Sequence, residues 1–345
     1  MEYRALGGTG FKISRLGLGG IPLQRLSRAE AKSLLAAAAD AGINLIDTAR
    51  GYSVSEELIG YGLTGRRRDW FVASKSMARS KSAIIDDIQT SLKNLKTDYI
   101  DLYQIHNVRT DSEWQQVLAD DGALAGVLAA VETGLVRYAG ITSHSADMMA
   151  AALESDHFST MMLAYNIVEE DKQSIFESAH ARGVGTLAMK PLAGGVIPDP
   201  QKALRYLAAD NIVDCLLVGM DSPAQVSENV AALAAGPLTE DEECELREMA
   251  LDLGQDFCRR CGYCQPCPEG IDISTVFLLE TYYDRYELKD WARDRYAGLP
   301  VLATLCAGCG ECLDKCPYGL QIPDRLARAA GKLGVKKSMS SRTEA

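Results

Sequence analysis

The sequence predicts a (β/α)8 barrel followed by a small, all-helical, cysteine-dense module. Three observations carry this. Over the first 236 residues, eight short runs rich in Val, Ile and Leu alternate with Ala-rich amphipathic stretches, the pattern of strands and helices in repeated units. Eight such units suit a closed barrel, for which roughly 250 residues is typical. Eight of the ten cysteines lie beyond residue 257, so the composition changes where the eighth unit ends.

The strand runs are "SRLGLGG" (14–20), "INLIDTA" (43–49), "WFVASK" (70–75), "YIDLYQIH" (99–106), "VRYAGITSH" (136–144), "TMMLAYNIV" (160–168), "VGTLAMKPL" (184–192) and "VDCLLVGM" (213–220). Between the first two, "SRAEAKSLLAAAADAG" reads as a helix with Ser27 as cap, Glu30 completing a capping box and Gly42 ending it. An open doubly wound sheet is the competing layout, but it announces nucleotide binding with G-x-G-x-x-G after the first strand. "RLGLGG" does not match. The expected organisation is a barrel over 1–236, a connecting helix over 237–256 starting from a Thr239 cap, a cysteine module over 257–330 and a disordered tail over 331–345.

With 36 basic and 47 acidic residues the net charge is -11, which argues against nucleic acid or an anionic membrane surface as the main partner. No apolar run approaches the roughly 18 residues of a membrane helix, and "MEYRALGGTGFKISR" has no signal-like apolar core. A cytoplasmic location is expected, and in a reducing compartment clustered cysteines are more often metal ligands than disulfides.

A barrel places its chemistry at the carboxyl ends of its strands. Asp47 follows strand two, Lys75 closes strand three and His106 closes strand four, with Tyr52 five residues past Asp47. A single strand-end Lys or a lone His is usually structural. Titratable groups at three successive strand ends form a constellation that a purely structural reading explains poorly.

These segments resemble the aldo/keto reductases. "YRALGGTGFKISRLGLGG", "NLIDTARGYSVSEELIG", "WFVASK" and "DLYQIH" match that family's N-terminal hairpin and its Asp, Tyr, Lys and His segments in order, over residues 3 to about 235. "CGYCQPCPEGI" and "MKPLAGG" resemble the branch with a C-terminal iron-sulfur module. The resemblance implies an NAD(P)-dependent oxidoreductase that interconverts an aldehyde or ketone and its alcohol by hydride transfer. Tyr52 would be the general acid for the carbonyl oxygen. A phenol with a pKa of about 10 needs its phenolate stabilised to serve at neutral pH, and Lys75 would supply that charge. Asp47 would hold Lys75, and His106 would orient and polarise the carbonyl.

The resemblance further implies that the cofactor, NADP or NAD, is gripped by barrel loops. "ITSH" after strand five offers Thr142 and Ser143, and "YN" after strand six offers Asn166. "KPLAGG" after strand seven offers Lys190, Pro191, Leu192, Gly194 and Gly195, whose glycines let a backbone approach the pyrophosphate. "VGMDSPAQVSENVAA" after strand eight offers Gly219, Ser222, Gln225, Glu228 and Asn229 around the adenosine. The sequence departs from the family at three places. Asp221 and Ser222 stand where a basic clamp for the 2'-phosphate is common, Met189 where an aromatic stacks on the nicotinamide, and Met162 where a Gln binds the carboxamide. The loop after strand four is expected to line one wall of the substrate site, with Arg109 and Trp114 as candidates.

Cys306, Cys309, Cys312, Cys316 and Pro317 form C-x2-C-x2-C-x3-C-P, the bacterial ferredoxin run. Cys258, Cys261, Cys264, Cys267 and Pro268 repeat it one residue shorter. The expected assignment is two [4Fe-4S] clusters with exchanged fourth ligands: Cys258, Cys261, Cys264 and Cys316 on one, Cys306, Cys309, Cys312 and Cys267 on the other. Four-cysteine zinc sites and disulfides are the alternatives. The helical spacing of "STVFLLETYYDRYELKDWARDRY" gives a module resembling the helical ferredoxin type. The expected partners are a small carbonyl or alcohol and a ferredoxin-like redox protein. The rival reading is an electron-transfer or redox-sensing iron-sulfur protein that uses its barrel as a binding scaffold.

Overall fold

The computed structural model describes residues 1–254 and 257–334. They form two compact units, Met1–Leu253 and the residues from Gly254 onward. The first opens with an antiparallel hairpin, β1 (Tyr3–Ala5) and β2 (Lys12–Ser14). Eight parallel strands follow: β3 (Leu16–Gly19), β4 (Leu45–Asp47), β5 (Phe71–Ser76), β6 (Ile100–Ile105), β7 (Val136–Ser143), β8 (Thr160–Ala164), β9 (Gly185–Met189) and β10 (Cys215–Gly219). They close in sequence order, with β10 pairing back to β3. Every expected strand run holds one barrel strand.

The helices of this unit are α1 (Arg28–Asp40), α2 (Ser55–Gly62), α3 (Lys81–Leu95), α4 (Asp111–Leu118), α5 (Ala123–Glu132), α6 (Ala146–Glu154), α7 (Gln173–Ala181), α8 (Pro200–Ala208), α9 (Pro223–Ala234) and α10 (Glu240–Gly254). The capping box at α1 forms, with Ser27 Oγ accepting the Glu30 N–H and Glu30 accepting the Ser27 N–H. Gly42 takes a left-handed φ of 85° just past the helix. Thr239 likewise caps α10, its hydroxyl accepting the Glu242 N–H at 3.2 Å while Glu242 accepts the Thr239 N–H at 2.9 Å. Ion pairs from Arg205 to Glu242 and from Lys202 to Glu245 join α8 to α10.

Strand alternation decides what fills the barrel. Leu45, Phe71, Ala73, Leu102, Met162 and Leu187 pack with one another inside, together with Leu6 and Ile13 of the hairpin. Phe11, in the hairpin turn, meets the rings of Phe71 at 4.4 Å and Tyr138 at 5.4 Å. The hairpin thus seals the amino end of the strands, and the polar inward positions gather at the carboxyl end. Gly140 leaves space inside: a Cβ there would stand 2.5 Å from Thr160 Oγ1 and 3.0 Å from Gln104 Cγ.

The second unit contains α11 (Ile273–Asp284), α12 (Lys289–Ala297), α13 (Glu311–Lys315) and α14 (Ile322–Leu333), with no strand among its described residues. Tyr282 packs on Trp291 at 4.6 Å and on Tyr286 at 5.4 Å, so the aromatics of this segment build its core. The tail expected from residue 331 differs in its first part, because α14 runs to Leu333 with Leu326, Ala329 and Leu333 buried on one face. Residues 335–345 of that tail, and residues 255–256 of the expected connector, lie outside the described residues.

Candidate active site and cysteine centres

The inward parity of the strands brings the four candidate catalytic residues together. Leu45 and Asp47 share one face of β4, Phe71, Ala73 and Lys75 one face of β5, and Leu102 and Gln104 one face of β6, with His106 one residue past the strand. Lys75 Nζ donates to Asp47 Oδ2 at 2.5 Å and to the Thr48 carbonyl at 2.8 Å. It also lies 4.8 Å from the centroid of the Tyr52 ring. The Tyr52 ring meets His106 edge to face, with centroids 6.1 Å apart and planes at 88°. Asp47 and Lys75 are buried, and Tyr52 and His106 are half-buried at the rim.

Burial is the largest influence on Asp47, Lys75 and His106. It raises the Asp47 carboxyl and lowers the Lys75 ammonium, and in each case the partner's charge opposes the shift. Burial, then the charges of Lys75 and Arg79, hold the His106 imidazole well below the ordinary histidine pKa. His106 is therefore neutral at physiological pH, with one ring nitrogen carrying a proton.

Two residues that the sequence reading passed over support this group. Gln104 donates from Nε2 to Asp47 Oδ1 at 3.0 Å, fixing the carboxylate oxygen that Lys75 leaves free. Its signal was the alternation of "DLYQIH", which points Gln104 inward beside His106. Glu56, buried on α2, accepts from Ser74 and Ser91 at 2.7 Å, Arg50 at 2.8 Å and Asn94 at 3.1 Å. It anchors both ends of the loop that carries Tyr52, and it is the acidic residue of the quoted "YSVSE".

The expected cofactor residues lie at the carboxyl ends of β7 to β10, the same end as the tetrad. Thr142 Oγ1 accepts the Asn107 N–H at 2.8 Å, and Ser143 Oγ donates to the Val108 carbonyl at 2.5 Å. Both hydroxyls thus hold the turn that follows His106. The Asn166 amide donates to Glu169 at 2.9 Å and to the Lys190 carbonyl at 3.1 Å, and its oxygen accepts the Val168 N–H at 2.9 Å. Lys190 takes a φ of 57°, with Nζ 3.5 Å from His144 Nε2. Pro191 and Leu192 continue into two overlapping turns closed by the Ala193 and Gly195 N–H groups, each 2.8 Å from its carbonyl. Gly194 and Gly195 have φ of 70° and 82°, so glycine serves the backbone conformation here.

Gly219 is exposed at the end of β10 and pairs with Gly19. Ser222 caps α9 by accepting the Gln225 N–H at 3.4 Å, and Gln225 Oε1 accepts the Asp221 N–H at 2.8 Å. Asp221 forms an ion pair with Arg25. Asn229 is buried on α9 and Glu228 is exposed. Met162 is buried in the barrel core, and Met189 packs at its edge. Trp114 is buried, with its ring 6.2 Å from that of Phe158. Arg109 pairs with Glu113 on α4.

In the second unit Cys258, Cys261, Cys264 and Cys316 line one pocket with Ile273, Phe277, Leu320 and Ile322. Cys312 lies in electrostatic reach of Cys306, Cys309 and Cys267. All ten cysteines are free thiols. Among the described residues no three or more His, Cys, Asp or Glu side chains close around a point as a single metal ion requires. Four cysteines lining one pocket agree with the 4Fe-4S reading of this segment. Burial pushes the free thiols up, Cys258 to about 11 and Cys264 to about 12, whereas bound iron would hold them deprotonated.

A closed parallel barrel with a Tyr, Lys, Asp and His cluster at its carboxyl rim, joined to a helical module with paired cysteine runs, defines an oxidoreductase with an iron-sulfur domain. The aldo/keto reductase family pattern matches residues 15–202, and that of a 4Fe-4S dicluster domain matches residues 257–320. The chain belongs to the aldo/keto reductase family, whose members use NAD(P)H. It is 32% identical to 6-dehydroglucose reductase of Novosphingobium aromaticivorans, over 67% of this chain and 80% of that protein. It is 27% identical to L-galactose dehydrogenase of Arabidopsis thaliana, over 68% of this chain and 88% of that protein. Among solved structures, the holo form of an aldo-keto reductase from Bacillus halodurans is 26% identical and superposes with a TM-score of 0.63, covering 73% of this chain and 96% of that one. Among the described residues no helix is long and apolar enough to cross a membrane.

Proposed function

We propose that the barrel interconverts an aldehyde or ketone and its alcohol at the Tyr52, Lys75, Asp47 and His106 cluster, with NADPH or NADH as cofactor. The carrying observation is the Lys75 ammonium, locked on Asp47 at 2.5 Å and 4.8 Å from the Tyr52 ring. An ammonium has three hydrogens. Two are spent on Asp47 and the Thr48 carbonyl, which leaves the third for the Tyr52 side. A cation held there favours the phenolate and makes Tyr52 a competent proton donor to a carbonyl oxygen. Neutral His106 offers a ring N–H on the same side as Tyr52 and orients that oxygen. Asp47, oriented by Gln104, keeps the charge of Lys75 in place without touching substrate.

The reduced nicotinamide, when bound, supplies the hydride. The residues fit such a group: exposed Gly219 stands just before the amino end of α9, where a phosphate can approach backbone N–H groups. The left-handed Gly194 and Gly195 turn offers a second approach. Thr142, Ser143, Asn166, Lys190, Pro191, Leu192, Ser222, Gln225, Glu228 and Asn229 complete this reading of the cofactor face. In the second unit, Cys258, Cys261, Cys264 and Cys316 would hold one [4Fe-4S] cluster and Cys306, Cys309, Cys312 and Cys267 another.

The test is an anaerobic titration with NADH and then NADPH across the visible iron-sulfur absorption, with and without a panel of aldehydes and ketones, on the wild type and Tyr52→Phe. Consumption of nicotinamide by a carbonyl, abolished in Tyr52→Phe while nicotinamide still binds, is the expected result. Full turnover in Tyr52→Phe would remove the reading. Bleaching of the band by nicotinamide alone would instead make the clusters part of the electron path.

A further inference from the structure

His106 stands past the end of β6, on a turn that other elements must hold. One side is stitched to β7: the Asn107 N–H donates to Thr142 Oγ1 at 2.8 Å, the Val108 N–H to the Thr142 carbonyl at 3.0 Å, and Ser143 Oγ to the Val108 carbonyl at 2.5 Å. Asn107 has a φ of 54°, a left-handed conformation that asparagine tolerates better than most residues and that turns the chain sharply after His106. The carbonyls of His106 and Asn107 turn away from β7. They meet Arg79, whose Nη2 donates to the His106 carbonyl at 2.9 Å and the Asn107 carbonyl at 3.0 Å. The same nitrogen reaches Glu113 of α4 at 3.3 Å, and Nη1 donates to the Met77 carbonyl at 3.2 Å.

Arg79 is itself held at its base. Its carbonyl accepts the Ala123 N–H at 2.9 Å, the Lys81 N–H donates to the Asp121 carbonyl at 2.6 Å, and Ser80 bridges to Gly122. The guanidinium therefore extends from a fixed point between the ends of β5 and β6, and its planar fork suits several carbonyls at once.

We propose that Arg79 is a positioning residue for the carbonyl-orienting imidazole: its guanidinium fixes the His106 turn by gripping the two carbonyls that β7 leaves unheld. The proposal rests on the reading of His106 given above. Arg79 does not touch substrate; it acts through the backbone that carries His106 and through its charge. The groups facing the imidazole are Lys75 of β5 with its partner Asp47 of β4, Tyr52 of the loop after β4, and Arg79, itself paired with Glu113. After burial, the positive charges of Lys75 and Arg79 oppose protonation of the ring. Removing Arg79 should loosen the turn and make His106 easier to protonate. These two effects separate in experiment.

The full chain is prepared as wild type, Arg79→Met, Arg79→Lys, His106→Gln and Tyr52→Phe. The His106 imidazole is titrated by long-range proton-nitrogen NMR, assigned by its loss in His106→Gln among the four histidines. In parallel, nicotinamide affinity and kcat/KM for a carbonyl substrate are measured. Arg79→Met should lower kcat/KM roughly 10- to 100-fold, the scale of a small misplacement of a reacting group, with nicotinamide affinity kept and the His106 pKa raised. Arg79→Lys keeps the charge and loses the fork, so it should hold the depressed pKa while recovering only part of the rate. Wild-type kcat/KM with an unchanged His106 titration in Arg79→Met overturns the proposal. Should Arg79→Met fail to fold, wild-type rate in Arg79→Lys overturns it. Retained turnover in Tyr52→Phe and His106→Gln would mark the tetrad reading as the failure, and the NMR titration would still decide whether Arg79 governs the imidazole.

Discussion

The pair of Lys75 and Asp47 makes a quantitative prediction that separates stability from catalysis. Both side chains are buried, at 3% and 8% exposure, and their 2.5 Å contact lies at the carboxyl ends of β4 and β5. Lys75→Met leaves Asp47 accepting from Gln104 alone, a buried carboxylate without its cation. Breaking a buried pair from one side costs about 3–5 kcal/mol, whereas replacing both partners with apolar residues is often neutral or stabilising. At roughly 2–4 °C per kcal/mol for a domain of 150–250 residues, the single variant should melt roughly 6–20 °C lower. The double variant Lys75→Met/Asp47→Leu should recover most of that loss. Turnover should be lost in both, because neither retains a cation beside Tyr52. Far-ultraviolet circular dichroism melts, run alongside carbonyl-dependent nicotinamide oxidation, give the two readouts. A single variant destabilised by less than about 1 kcal/mol, or a double variant less stable than the single, would refute the assignment of the pair as a buried, mutually dependent unit.

His106 is held neutral, so the folded chain refuses a proton that the unfolded chain accepts below about 6.5; stability should fall there by up to about 1.4 kcal/mol per pH unit. Its contribution is present above that pH and lost on acidification, and urea titrations of His106→Asn should show a shallower slope; an unchanged slope would contradict the depressed pKa. Gly140→Ala places a methyl 2.5 Å from Thr160 Oγ1 and 3.0 Å from Gln104 Cγ. It should cost about 1–3 kcal/mol by overpacking and lower activity by moving Gln104 off Asp47, and equal melting with full activity would show that the barrel interior yields freely. Cys316→Ser should remove iron from the site of Cys258, Cys261 and Cys264, whereas Cys306→Ser should remove it from the other site. Electron paramagnetic resonance of the reduced proteins would tell the two losses apart, and the same residual spectrum from both variants would sink the exchange of fourth ligands.

The barrel was legible because its strands are short runs rich in Val, Ile and Leu, separated by Ala-rich helices whose ends carry ordinary caps, such as Ser27 with Glu30. Strand count and closure followed from eight such runs. The catalytic candidates were legible as residue types at strand ends, since few side chains can hold or deliver a proton there. What escaped was placement by hydrogen bond. Thr142 and Ser143 read in sequence as cofactor contacts, and the structure adds that both hydroxyls also hold the turn after His106. Trp114 sits in a long loop run, and only the packing of α4 and α5 shows that it belongs to the core. The cysteine spacing announced two runs and an exchanged fourth thiol, and Cys316 does line a pocket with Cys258, Cys261 and Cys264.

A division of labour inside the site explains this unevenness. Tyr52, Lys75, Asp47 and His106 are restricted by the chemistry proposed for them, so their identities stand out. Gln104, Glu56 and Arg79 are restricted only by geometry: each places hydrogen bonds on the flank of a functional segment that its own strand does not hold. Gln104 takes the free oxygen of Asp47, Glu56 ties Arg50 to α3 through Asn94 and Ser91, and Arg79 takes the carbonyls beyond β6. The alternation of "DLYQIH" points Gln104 inward and Glu56 belongs to the "SE" that follows Tyr52, whereas no local pattern marks Arg79. Their loss should therefore appear as altered orientation and altered proton affinity of the tetrad, with the cofactor still bound, rather than as the removal of a chemical step.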